Sequence, residues 1–180
     1  MAYAVRPGRA DEAEAIRAIE RAAGQLFATV GHPEIAAHEP TPAADLQDAA
    51  RDGLLLVAAG DDDGPAGFLL AAELDGCLYV HELSVHPAHA GQRLAVPLFN
   101  AAEAIARQRG LAALTLTTFR AVPWNAPYYA RLGFAEMPEP GPGLRIVIAR
   151  QKAAGLDIAA RVAMRRAIPV MTAVTSRDRA

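Results

Sequence analysis

Residues 79–134 concentrate the side chains that could do chemistry. An apolar run there carries His81 and Glu82 and ends in Ser84-Val85-His86-Pro87. Gly91 marks a turn, and an amphipathic pattern follows from Gln92. A second apolar run then leads to Asn125-Ala126-Pro127-Tyr128-Tyr129-Ala130-Arg131-Leu132-Gly133-Phe134. A helix that starts just after a strand offers backbone N–H groups without intrahelical partners and a partial positive charge, and phosphate satisfies both. Gly91 would let a ligand approach the backbone, and Arg93 could add a charge-assisted contact. The same pattern also fits a plain turn. His81 and Glu82 are neighbours on a strand, so only one faces a given side unless a bulge intervenes, and bulges are common beside active sites.

The elements that must position these residues follow from periodicity and punctuation. Residues 3–6 read as a strand, broken by Pro7-Gly8. Asp11 opens a helix with acidic residues in its first turn, and Gly24 is expected to end it. Residues 25–42 read as a mobile connection with at most a short helical turn. Thr41 is the expected N-cap, with Pro42 at the first helical position, for a helix over residues 43–51. Residues 54–59, 66–73 and 78–86 read as a three-strand meander, with Asp75-Gly76 as a hairpin signal. The helix from Gln92 to Gly110 and the strand over 112–118 complete a βαβ unit, so its two strands should be parallel. A short helix over 128–132 precedes a strand beginning at Phe134. Residues 144–152 fit either a strand or a helix, and Gly155 as a C-cap favours the helix. Residues 161–168 read as a last strand that closes the sheet.

Composition bounds the answer. A chain of 180 residues, 52% hydrophobic, can bury a sizeable core as one domain, expected over residues 1–170 with a flexible tail at 171–180. The formal net charge of −2 gives no basic stripe for nucleic acid. Cys77 is the single cysteine, so no internal disulfide is available, which fits a reducing compartment. No long apolar run spans a membrane, and the N-terminus does not read as a signal peptide, so a cytoplasmic location is expected. Lys152 is the sole lysine; abundant alanine, proline and arginine suit a GC-rich bacterial genome. The histidines show no metal-site spacing.

Residues 79–134 resemble the acyl-CoA site of the GNAT acetyltransferase superfamily. The resemblance implies an α/β fold: a mixed, mostly antiparallel sheet of six or seven strands flanked by helices, with a splayed parallel pair. The superfamily's pyrophosphate loop, Gln/Arg-x-x-Gly-x-Gly/Ala, falls on Ala90, Gly91, Gln92, Arg93, Leu94 and Ala95, with Val96 next. Ala90 stands where a polar residue is usual, and Arg93 replaces the central glycine. A helical Arg93 would leave its amide available; a required positive φ would strain the turn. By the same resemblance, the backbone of Leu83, Ser84 and Val85, with Thr117 on the facing strand, would hold the pantetheine arm, and Asn125 would hydrogen-bond it. Tyr129 would protonate the departing thiolate. Glu82 is the preferred base, with His81 as the alternative. His32, His38 and Glu39 are candidates for acceptor contact. Packing roles for Leu83, Val85 and one of the two tyrosines, and a solvated Glu82, are the plain alternatives.

The activity implied is transfer of an acetyl group from acetyl-CoA to a primary amine, without metal and without a covalent enzyme intermediate. The acceptor would be a small molecule or a peptide. The altered loop also suits a non-catalytic acyl-CoA-binding module, and an interaction protein that keeps only the fold is a third reading. The last strand or the helix near Leu144 could mediate a homodimer.

Overall fold

The computed structural model describes residues 2–169. Seven strands form one mixed sheet in the order β1-β2-β3-β4-β5-β7-β6. They are β1 (Ala4–Pro7), β2 (Leu55–Ala59), β3 (Pro65–Leu74), β4 (Cys77–Val85), β5 (Ala113–Phe119), β6 (Ala135–Glu136) and β7 (Arg161–Ala167). Every neighbouring pair is antiparallel except β4 and β5, which the βαβ unit makes parallel. The helices are α1 (Ala13–Ala28), α2 (Pro33–Ala36), α3 (Ala43–Arg51), α4 (Ala95–Gln108), α5 (Ala126–Arg131) and α6 (Pro142–Ala153). The tail expected at 171–180 lies outside the described residues.

The helices cover both faces of the sheet. On one face α4 packs Leu98, Phe99, Ala102 and Ala106 onto Leu69, Leu78, Val80, Leu114 and Leu116. On the other, here the front, α1 and α3 bring Ile16, Ile19 and Leu46 onto Leu55, Val57, Phe68 and Leu70. Farther along the front, α6 seats Leu144 on Tyr79 and Ala163. The front is therefore roofed at two places, and the second half of β4 lies between them. Among the described residues no helix is long and apolar enough to cross a membrane.

Several sequence expectations are corrected. Gly24 does not end α1, which runs on to Ala28. A mid-helix glycine costs about 1 kcal/mol relative to alanine, and here it sits where the chain passes close to α2: a Cβ would lie 3.5 Å from the Ile35 carbonyl oxygen. Residues 25–42 are thus mostly helix and turn. Thr41 does not cap α3; Pro42 stands at the N-cap. The buried Thr41 instead gives its N–H and its hydroxyl to the Glu20 carboxylate. Helix α4 starts at Ala95, three residues later than Gln92, because Gly91 (φ 79°) and Arg93 (φ 56°) are left-handed and break the helical run. Strand β7 is not the closing edge; it is inserted between β5 and β6.

Residues 144–152 resolve as helix for a tertiary reason. Gly141 at the N-cap of α6 offers no side chain, and the Asp75 carboxylate in the β3–β4 turn accepts from the amides of Gly143 (2.8 Å) and Leu144 (2.9 Å). Asp75 and Gly76 are both left-handed (φ 52° and 69°), as the hairpin signal requires. Gly141 and Gly143 are needed there, since a Cβ on either would come within 2.5 Å of Asp75 or Leu74.

Candidate active site

Strands β4 and β5 pair only at Leu78–Leu114, Tyr79–Thr115 and Val80–Leu116. Beyond that, β4 stays with β3 as far as Val85, and β5 stays with β7 as far as Phe119. The two strands part because each is held by its outer neighbour, and a wedge opens between them. The β5-facing backbone of residues 81–85 then lies outside any strand pairing, a state that calls for another partner.

The opening coincides with a bulge. Ala71 pairs with Val80 and Leu70 with Glu82, so His81 is the extra residue. The bulge turns both His81 and Glu82 toward the front: His81 lies 6.1 Å from the Tyr79 ring, and Glu82 accepts from the Ser84 hydroxyl at 2.7 Å. The choice between the two residues posed by simple alternation therefore disappears. Ser84 is buried and orients the carboxylate.

A third group joins them. Glu20 on α1, held by Thr41, faces the same space, and its charge acts on His81. Burial, then the charge of Glu82, push the Glu20 carboxyl up to about 7. Burial also raises Glu82, against the Ser84 hydrogen bond and the charge of Arg161. His81 is exposed by surface area, yet desolvation of its imidazole by the surrounding protein lowers it and favours its neutral form. Two neighbouring carboxyl groups that both resist ionisation titrate as a pair.

On the opposite wall of the wedge, α5 carries Tyr129. Its ring is buried, edge-on to Phe99 at 5.6 Å and beside Phe134 at 6.0 Å. Burial, reinforced by the Glu82 charge, raises its hydroxyl well above the ordinary phenol value, so it stays protonated and able to donate. Asn125 precedes the helix, is 9% exposed, and its side-chain oxygen has no hydrogen-bond partner. The Asn125 side chain also acts on the Tyr129 hydroxyl, against the effect of burial, so the two polar groups sit together at this wall. Tyr128 is half-buried and beneath the Arg131 guanidinium, 5.4 Å from its ring centre.

The turn before α4 provides the third part. Among the described residues the amides of Gly91, Gln92, Arg93, Leu94 and Ala95 have no acceptor, whereas Ala90 donates to Pro87 and Val96 donates to Arg93. Five successive free amides at the start of a fourteen-residue helix form an anion-receptive arc. Arg93 is not helical. It holds the left-handed shape that glycine takes without strain, at a cost of about 1–2 kcal/mol, and its side chain is exposed.

Other candidates are distributed less favourably. The Thr117 hydroxyl is engaged by Gln151 (2.8 Å) and lies 3.4 Å from Tyr79, and its carbonyl accepts from Arg161. Leu83 and Val85 pack partly buried against the core. His32 joins an aromatic wall with Phe119 (4.1 Å) and Phe27, and Phe27 contacts Trp124. His38 bonds the Glu39 carbonyl and is exposed. Arg161, Glu20 and Gln151 escaped the sequence reading, since nothing local marks them; β7 brings in Arg161 by pairing it with Phe119. No group of three or more His, Cys, Asp and Glu among the described residues could hold a metal. A surface depression of about 460 Å³ lies at the β6 edge, three strands from β4 in sheet order.

The arrangement matches known proteins. A profile of the acetyltransferase (GNAT) family matches residues 15–134. The PaiA N-acetyltransferase of Thermoplasma acidophilum, solved with coenzyme A, superposes with a TM-score of 0.71 at 16% identity, covering 93% of this chain and 99% of that one. Ard1 of Thermoplasma volcanium gives a TM-score of 0.66 at 14% identity, over 94% and 100%. The ribosomal-protein-S18-alanine N-acetyltransferase of Escherichia coli gives 0.62 at 17%, over 94% and 96%. At these identities the structural matches speak to the fold. The family profile covers two thirds of the chain, and with the splayed β4–β5 pair behind it, the conclusion is that this protein belongs to the acetyltransferase (GNAT) family.

Proposed function

We propose that the chain is an N-acetyltransferase that moves an acetyl group from acetyl-CoA to a primary amine by direct attack. The observation that carries this reading is the wedge: strand pairing stops after Val80 and Leu116, with free amides at residues 91–95 and the Glu82 and Tyr129 side chains acting on one another beside the opening. The amides would receive the pyrophosphate, and Asn125 and the unpaired backbone of Leu83, Ser84 and Val85 the pantetheine amides. A solved relative of this fold holding coenzyme A supports that placement.

In the reaction the amine nitrogen bonds to the acetyl carbon and the carbon–sulfur bond breaks. Glu82 takes a proton from the amine, directly or through water, with Glu20 sharing the load. Tyr129 donates to the leaving thiolate, and a backbone amide near Leu83 receives the developing oxyanion. Neutral Glu20 or Glu82 cannot accept a proton; with Glu82 raised and Glu20 raised to about 7, activity should increase as pH rises.

A non-catalytic acyl-CoA-binding module is the competing reading, favoured by the arginine at the loop's glycine position. Calorimetry with acetyl-CoA and desulfo-CoA, followed by an amine panel, separates the two. Binding with amine-dependent release of CoA supports the enzyme. Binding with no turnover supports the module, and no binding removes both.

A further inference from the structure

Among the described residues, Arg161 on the front of the sheet is a cation without a carboxylate partner. Arg161 donates through Nη2 to the Thr117 carbonyl at 3.1 Å, and its guanidinium lies over the Phe119 ring at 4.7 Å. Its Nε is buried with no acceptor, as are those of Arg17 and Arg166, but those two arginines have a carboxylate partner. Other arginines with side chains shielded from solvent are ion-paired: Arg6 with Glu12 at 2.6 Å and Arg166 with Glu103 at 3.1 Å. Arg161 has no carboxylate within 4.0 Å among the described residues. Stack and hydrogen bond fix the guanidinium in place, so little ordering remains to be done when an anion arrives. Beside it, with Thr117 and Gln151, lies a cavity of about 40 Å³, room for a compact group.

Its position relative to the reacting centre is the second observation. The charge of Arg161 acts on Tyr79, Glu82 and Tyr129, and its hydrogen bonds go to Thr117 instead. The front of the sheet therefore carries an acidic pair, Glu82 with Glu20, and a basic point at Arg161 whose charge reaches Glu82. An amine carrying a carboxylate close by presents the opposite pair of charges. A polyamine would set a cation against Arg161.

We propose that the acceptor is an α-amino acid whose carboxylate is bound by Arg161 while its amine faces Glu82. This rests on the acceptor side of the acetyltransfer reading and narrows its substrate class.

The test is equilibrium binding to wild-type protein, with and without saturating CoA. The probes are free L-amino acids, each paired with its C-terminal amide and its decarboxylated amine. CoA binding is recorded as a separate titration. At least one amino acid should bind about 10- to 100-fold more tightly than both of its uncharged-end partners, the value of a charge-assisted hydrogen bond. Arg161→Gln should bring that ratio close to one, and Arg161→Lys should restore part of it. Wild-type protein that binds no amino acid, or prefers the decarboxylated amines, overturns the proposal, as does an unchanged ratio in Arg161→Gln. The wild-type ratio needs no variant to fold. Arg161-dependent amino-acid binding without CoA binding would keep this inference and sink acetyl transfer; CoA binding without carboxylate preference would do the reverse.

Discussion

The two halves of β4 share one backbone and live in opposite surroundings. From Cys77 to Val80 the strand is buried and lies between β3 and β5, and the turn that starts it holds the N-terminus of α6 through Asp75. From His81 to Val85 it keeps β3 alone, and its side chains include a histidine, a glutamate and a serine. The bulge at His81 is the boundary. A strand paired on both sides has its backbone bonds satisfied and adds to stability. A strand with one free edge must find partners elsewhere, and that need is what a ligand can meet. The difference shows that this fold separates holding from reacting within nine residues of one strand.

Changes on the open half should therefore move activity, and changes on the closed half should move stability. The largest effect is expected from Tyr129→Phe, which removes the donor to the leaving thiolate. Steady-state turnover should fall about 100-fold, with acetyl-CoA affinity by calorimetry nearly unchanged. Normal amine-dependent turnover would break the comparison at its functional end. Next comes Asp75→Ala. Two α6 amides lose their acceptor and alanine inherits a left-handed φ, so thermal unfolding should show a loss of about 2 kcal/mol. CoA binding should hold. A variant with wild-type Tm but weakened CoA binding would reverse the assignment of the two halves.

Glu20→Gln sharpens the boundary through pH. With a folded-state value of about 7 against the ordinary 4.5, the folded protein keeps a proton that the unfolded chain has released. That stabilisation is complete below about pH 4.5 and disappears as pH rises to about 7. Glu82 is shifted the same way. Denaturant unfolding should show wild-type stability declining across this window and a shallower decline in Glu20→Gln; parallel curves would show that Glu20 ionises freely. The smallest effect concerns the loop. Arg93→Gly should be more stable than Arg93→Ala by about 1 kcal/mol, because only glycine adopts φ 56° without strain. Equal stabilities would mean that the left-handed turn is not kept in solution.

Much of this was legible in the chain. Asp75-Gly76, the apolar run of β2 and the Leu98-Phe99-Ala102 stripe of α4 are local signals with local causes, and they placed the meander and the βαβ unit. In the segment from Asn125 to Phe134, Gly133 marked the end of a short helix, and resemblance to the family's motif singled out Asn125 and Tyr129. The reading went astray where a distant partner decides. Gly24 looked like a stop until α2 lay beside it, and Thr41 looked like a cap until Glu20 claimed both its donors.

The sequence by itself determined which elements form and in what order, because turn chemistry and side-chain period act over a few residues. It also supplied Glu82, Tyr129, Asn125 and the glycine turn as chemical types. Only the tertiary structure decided that β4 and β5 part after three paired positions, that the His81 bulge turns two neighbours to one face, and that Glu20 and Arg161 meet the site from α1 and β7. These are outcomes of competition among strands for hydrogen bonds and of charges brought together from far along the chain, and such energies have no local signature.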